Sequence, residues 1–111
     1  MNQDISKLHK QHCKNVGTAQ LLTKQQLSTC LDEFPFWLIS TDEQKISRHF
    51  TFNNYDDTLN FINAAAEIAK QENHHPYIEF SYNTCTIHYQ THSVNGITLY
   101  DFICAAHIEQ L

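Results

Sequence analysis

Hydrophobic residues recur with two periods along this chain, and the changes of period predict seven elements. Between residues 23 and 34 the spacing is helical, and four apolar residues share one face: Leu27, Cys30, Leu31 and Phe34. Thr23 and Gln26 have the spacing of a capping box, and Pro35 follows the last apolar position. The pattern therefore predicts a first helix over 23–34.

Alternation of apolar and polar residues predicts two hairpins. The first joins a short apolar run over 37–40 to an alternating run over 45–52, with a polar turn between them. The second joins alternating runs over 77–82 and 85–90, with its turn at Asn83 and Thr84. Together the hairpins predict a four-stranded antiparallel sheet.

Two more helices flank the second hairpin. The longer is predicted over 55–72, with Asn54 as its N-cap and acidic residues in its first turn, and it should stop before Pro76. The last helix begins at Thr98, which has capping-box spacing to Asp101. Four of its residues are expected on the inward side: Phe102, Ile103, Ala106 and Gln110.

The resulting order, α-β-β-α-β-β-α, predicts an α+β fold. A single domain over 21–111 would place its helices on one face of the antiparallel sheet. Residues 1–20 are polar and weakly periodic, and we interpret them as a mobile or loosely docked arm.

Composition removes several classes of function. The chain has 111 residues and a net charge of −5, which disfavours binding to a phosphate backbone, so no direct nucleic-acid partner is expected. Two glycines cannot supply a glycine-rich phosphate loop. The sequence offers no secretory signal and no apolar run of about 18 residues, so no membrane partner is expected. Four cysteines without C-x-x-C spacing predict free thiols in a reducing, cytoplasmic compartment.

Histidine is the unusual component, with eight residues. His74 and His75 lie where the long helix should end, beside the rigid Pro76, and His92 follows the last predicted strand. Because the ends of the second hairpin meet, His92 should approach the pair. Imidazoles titrate near neutrality, so this group suits proton transfer. We interpret the remaining histidines as surface residues: His9, His12, His49, His88 and His107.

Other interpretations of these residues compete with proton transfer. The histidine pair could cap the C-terminus of the helix, where cations are favoured. Three histidines could bind zinc, but contiguous histidines chelate awkwardly and no acidic partner has ligand spacing, so no metal is expected. Asp101 is expected mainly to cap the last helix, with an indirect effect on His92, although a carboxylate there could also orient an imidazole.

An ordered set of motifs runs from about residue 23 to the end of the chain. It consists of His74-His75-Pro76, Tyr82-Asn83, Thr91-His92, Gly96-Ile97-Thr98 and Asp101, preceded by Trp37 and Arg48-His49-Phe50-Thr51-Phe52. In this set and its spacing, the chain resembles the pterin-4a-carbinolamine dehydratase family.

The resemblance implies dehydration of 4a-hydroxytetrahydropterin by histidine acid/base catalysis, without a cofactor or metal. It implies catalytic roles for His74, His75 and His92. The resemblance also implies a group of residues near the pterin: Asn73, Pro76, Ile78, Thr91 and Asp101. Many members carry an acid at the position of Asn73 and a tryptophan at that of Ile78.

The resemblance also implies partners. The substrate would come from aromatic amino acid hydroxylases, and the chain would form a homodimer or homotetramer that covers exposed sheet edges. The same fold serves as a protein-binding module, either a dimerisation cofactor or an assembly factor, which is the alternative function. The presence of all three histidines favours the enzyme.

Overall fold

The computed structural model describes residues 5–111 and confirms the predicted order of elements. Its helices are α1 (Lys24–Glu33), α2 (Tyr55–Glu72) and α3 (Leu99–Glu109). Its strands are β1 (Leu38–Ile39), β2 (Ile46–Thr51), β3 (Tyr77–Phe80) and β4 (Thr84–Tyr89). Between residues 5 and 111 the chain also forms three short 3₁₀ helices, at Ile5–Lys10, Cys13–Asn15 and His92–Val94.

Side-chain caps fix where each α-helix begins. Both predicted capping boxes are present: Thr23 exchanges hydrogen bonds with Gln26, and Thr98 with Asp101. Asn54 accepts a hydrogen bond from the backbone N–H of Asp57 at the start of α2. Each cap satisfies N–H groups that a helix leaves unpaired in its first turn. None of the helices described is long and apolar enough to cross a lipid bilayer.

The two hairpins meet side by side in one antiparallel sheet with strand order β1-β2-β4-β3. The central contact pairs Ile46 with Tyr89 and Thr51 with Thr84. Alternate residues of the two central strands face the helices, and four of them are completely buried: Ile46, Cys85, Ile87 and Tyr89. The antiparallel α+β fold is therefore confirmed, and α3, with seven buried residues, packs against the covered face of the sheet.

The N-terminal segment differs from the prediction of a loosely docked arm. Leu8 is completely buried and Cys13 is 5% exposed, and both belong to the hydrophobic core. Tyr100 donates a hydrogen bond to the carbonyl of Gly17, which holds the segment against α3. Residues 1–4 of the predicted arm lie outside the described residues. Leu8 and Cys13 are isolated apolar residues in a polar stretch. They form no periodic pattern, so the sequence did not predict their burial.

Smaller differences concern element ends. Thr84, predicted in a turn, opens β4 opposite Thr51, and β3 ends at Phe80. Gln110 is exposed rather than turned inward. All four cysteines are buried free thiols, as predicted. Burial raises the pKa of both Cys30 and Cys85 to about 11, so these thiols are poor nucleophiles at neutral pH.

Candidate active site

The end of α2 opens onto a cavity of about 400 Å³ that the three predicted catalytic histidines share. His74 and His75 enter from the exit of α2, and His92 enters from the 3₁₀ helix that follows β4. The other lining residues are Cys13, Lys14, Glu72, Asn73, Gln90, Thr91, Ser93 and Tyr100. The expectation that His92 approaches the pair is therefore confirmed.

A left-handed residue at the end of α2 gives the two histidines different surroundings. Asn73 has φ +50° and ψ +42°, and the backbone N–H of His74 bonds to the carbonyl of Ala69 at 3.1 Å. This is the hydrogen bond of a Schellman motif, in which the chain turns sharply away from the helix axis. His74 is mostly buried, with its side chain 12% exposed, while His75 is exposed.

Asp101 contacts the ring of His74 and holds it in place at the cavity. The Asp101 side chain is completely buried, and its Oδ1 lies 2.6 Å from Nε2 of His74. Its Oδ2 accepts hydrogen bonds from the backbone N–H of Thr98 and from the hydroxyl of Thr91, each at 2.9 Å. The capping role is confirmed, and the imidazole that Asp101 contacts is His74 rather than His92.

Two tyrosines fix the plane of the same ring. His74 stacks on Tyr89 with centroids 5.5 Å apart and meets the edge of Tyr100 at 5.8 Å. Because a carboxylate accepts hydrogen bonds, a neutral His74 ring carries its proton on Nε2 in this contact and leaves the lone pair of Nδ1 free. The arrangement holds one imidazole in a single tautomer and orientation.

His75 and His92 differ from His74 in being exposed, and within residues 5–111 neither side chain makes a hydrogen bond. A pairing between the backbones of Thr91 and Gly96 holds the turn that carries His92. The cavity thus combines one fixed imidazole with two free ones. Such a set can accept a proton at one position and donate another nearby.

Three predicted binding positions lie outside the cavity lining, and one of them is Asp101, which contacts the lining residue His74. Pro76 is outside the lining of the cavity, and Ile78 pairs with Ile87 in the sheet. Asn73 and Thr91, in contrast, line the cavity. Successive side chains of a strand point to opposite faces of the sheet. The side chain of Ile78 points to the helix-covered face and therefore lies outside the cavity.

Sequence reasoning missed a carboxylate at the edge of the cavity. The Glu72 side chain is completely buried; its Oε1 accepts from the backbone N–H of Cys13 at 2.8 Å, and its Oε2 lies 2.6 Å from Nδ1 of His12. Burial alone would raise the pKa of Glu72, but hydrogen bonds from Gln71, His12 and Cys13 outweigh it and hold the pKa at about 2. Nε2 of His107 is 3.8 Å from the same oxygen.

The interpretation of His12 and His107 as surface histidines is therefore wrong. Both rings lie at Glu72, and they stack on each other with centroids 5.3 Å apart. His12 and Glu72 are 60 residues apart, so no local spacing could have indicated the contact. His88 also has partners, since its ring bridges Ser47 and Glu79 on the outer face of the sheet.

Comparisons with known proteins identify a family and several relatives of this chain. The model of the family described as pterin 4 alpha carbinolamine dehydratase matches residues 20–111. A relative from Legionella pneumophila strain Corby, provisionally named pterin-4-alpha-carbinolamine dehydratase, is 42% identical over 112 residues, covering 100% of this chain and 97% of its own. One from Hydrogenovibrio crunogenus with the same provisional name is 36% identical and covers 94% of this chain and 93% of its own.

Solved structures share the fold. A Brucella melitensis protein described as a transcriptional coactivator/pterin dehydratase superimposes with a TM-score of 0.78 at 27% identity, over 82% of this chain and 97% of its own. A pterin dehydratase-like protein identified as a RuBisCO assembly factor in the alpha-carboxysome gives a TM-score of 0.58 at 20% identity. It covers 67% of this chain and 86% of its own, and at that identity the likeness concerns the fold alone.

Proposed function

The chain belongs to the pterin 4 alpha carbinolamine dehydratase family, and on that premise we propose that it converts a 4a-hydroxytetrahydropterin to the quinonoid dihydropterin and water. The observation that carries the proposal is the convergence of His74, His75 and His92 on one cavity. Its volume of about 400 Å³ falls within the range of small-molecule sites.

The reaction requires two proton transfers and no redox step. The N5 lone pair of the substrate expels the hydroxyl group from C4a, and the C4a–O bond breaks. The departing oxygen takes a proton and leaves as water, while a ring N–H gives up a proton. Groups that titrate near neutrality suit both transfers, and positioned acid/base catalysis contributes about 10²–10⁴-fold.

The surroundings of the histidines suggest how the two transfers are divided. His74 accepts the ring proton at Nδ1, because Asp101 holds its Nε2–H and stabilises the imidazolium that forms. His75 and His92, exposed at the cavity, supply the proton to the leaving hydroxyl. No metal or organic cofactor is needed for these steps.

The proposed role is the recycling of a pterin used by aromatic amino acid hydroxylases, in the cytoplasm. The alternative function is a non-catalytic binding module on the same fold. The coactivator description of the Brucella melitensis protein is the observation that favours it. The two functions differ in their dependence on the histidines, since a binding surface elsewhere would not need them.

We also propose that the chain forms a homodimer or homotetramer through sheet edges. β3 is an edge strand, and three aromatic side chains on or beside it are at least half exposed: Tyr77, Phe80 and Tyr82. Pairing with a second copy would cover its free N–H and C=O groups together with these rings.

Stopped-flow absorbance of carbinolamine decay, with and without the protein at mildly alkaline pH, tests the enzyme proposal. We expect clear acceleration by the wild-type chain and a loss of about 10²–10³-fold in kcat for His75→Ala. His49→Ala is the matched control, because His49 bonds Thr86 on the outer face of the sheet, outside the cavity lining. If carbinolamine decayed at the same rate with wild type, with His75→Ala and in buffer alone, the enzyme proposal would be wrong. The binding module would then be the function.

A further inference from the structure

We infer that His12, Glu72 and His107 form a binding site for Zn²⁺ that fastens the N-terminal segment beside the cavity. Each residue offers one ligand atom, and the three atoms lie within 4.8 Å of one another. None of the three is a histidine of the proposed reaction, although Glu72 also lines the cavity.

The donor set matches the chemistry of zinc. Two imidazole nitrogens and one carboxylate oxygen form a known zinc ligand set, with the remaining coordination position left to water or another oxygen. The carbonyl of Gln11, 2.8 Å from Nε2 of His107, offers one such oxygen. Small movements would bring the three protein ligands to bonding distance, since Oε2 of Glu72 already lies 2.6 Å from Nδ1 of His12 and 3.8 Å from Nε2 of His107.

The charge around Glu72 also favours a cation. Its carboxylate is completely buried, yet within residues 5–111 no lysine or arginine forms an ion pair with it. A carboxylate buried away from water is stabilised by a positive charge beside it. A divalent ion would supply that charge.

The groups around the carboxylate resemble the support that metal ligands require. The backbone N–H of Cys13 and the amide of Gln71 hold Glu72 in place, at 2.8 and 3.0 Å. His12 is 41% exposed, which provides a route for the ion. On binding, the proton of each neutral ring moves to its other nitrogen, so no oxidant or co-reactant is involved.

Metal binding here would connect three separate parts of the fold. His12 belongs to the N-terminal segment, Glu72 ends α2, and His107 lies in the last turn of α3. Cys13 and Lys14, next to His12, line the cavity. The ion would therefore stiffen one wall of the cavity without touching the reacting atoms.

Titration of the untagged full-length chain with Co²⁺, followed by its visible d–d absorption and by displacement with Zn²⁺, tests the inference. We expect one saturable site per chain and a loss of affinity of roughly 10²-fold in both Glu72→Gln and His107→Gln. His9→Ala, a neighbouring histidine outside the cluster, should bind like wild type. Where Glu72→Gln does not fold, His107→Gln alone carries the comparison.

Three results would overturn the site. One is the absence of saturable Co²⁺ binding, and another is equal affinity in wild type and His107→Gln. The third is binding lost in His75→Ala but kept in His107→Gln, which would move the ion to the cavity histidines. Chelation is expected to lower thermal stability and leave kcat of the dehydration intact, so the site and the proposed enzyme activity can fail separately.

Discussion

At the scale of single residues, the two oxygens of Asp101 serve two purposes. Oδ2 caps α3 and binds the hydroxyl of Thr91, whereas Oδ1 holds the ring of His74. The sequence indicated the cap, because Thr98 and Asp101 are three residues apart. It left open whether the carboxylate also orients an imidazole and did not single out His74, because that contact depends on how α2 ends against α3.

Asp101→Asn should separate these purposes. The amide oxygen can replace Oδ2 at the cap, but the NH₂ group would then face Nε2 of His74 and force its proton onto Nδ1. His74 would lose its free lone pair, so we expect kcat to fall by about 10²-fold or more while the stability changes little. Stopped-flow kinetics and urea denaturation measure the two effects.

The matched control is Asp56→Asn, which makes the same change in the first turn of α2, at an exposed position away from the cavity. It should retain full kcat. Retention of most activity by Asp101→Asn as well would mean that capping is the whole role of Asp101.

At the scale of elements, the end of α2 determines what each histidine of the pair can do. The helix has the predicted bounds because Asn54 caps its start and Pro76 lies just beyond its end. The left-handed turn at Asn73 then sends His74 towards Asp101 and leaves His75 in the cavity. A cap of this kind needs a residue that tolerates positive φ.

Asn73→Ala should therefore destabilise the protein, by about 1–2 kcal/mol, because an alanine Cβ is strained in the left-handed conformation. Asn73→Gly should be close to wild type. Urea denaturation compares the variants, with Asn63→Ala as control, an exposed change inside the same helix. Equal stability of the alanine and glycine variants at 73 would contradict a decisive role for the backbone conformation.

The parts of the site that sequence could predict are those with local causes. Caps, helix ends and the adjacency of His74 and His75 all follow from neighbours in the chain. The cluster of Glu72 with His12 and His107, and the docking of Leu8, follow from tertiary packing of remote segments. Periodicity carries no information about such contacts.

At the scale of the whole molecule, one sheet face is covered by helices and one edge carries exposed rings. Alternation predicted the strands and family resemblance predicted an oligomer. The order β1-β2-β4-β3 places β3 at an edge with Phe80 half exposed. A net charge of −5 opposes association at long range, so in the proposed oligomer the apolar edge would provide the contact.

Light scattering should thus give a mass of at least twice 12.9 kDa for the wild-type chain. Phe80→Lys is expected to lower that mass towards the monomer, because a charge on an edge strand opposes pairing. Leu38→Lys, at the opposite edge, should leave the mass unchanged. A monomeric wild type would exclude the proposed oligomer.

The central pairing of β2 with β4 also governs how fast this chain can fold. Each hairpin closes locally, within about 1–10 μs for an isolated hairpin. The contact between the hairpins instead joins Ser47 to His88, 41 residues later, across a loop that contains all of α2. Closing this loop costs conformational entropy before any strand pairing compensates for it. If α2 forms first, the loop that must close is shorter and the cost is smaller. The rate-limiting barrier should therefore lie at the meeting of two structured halves.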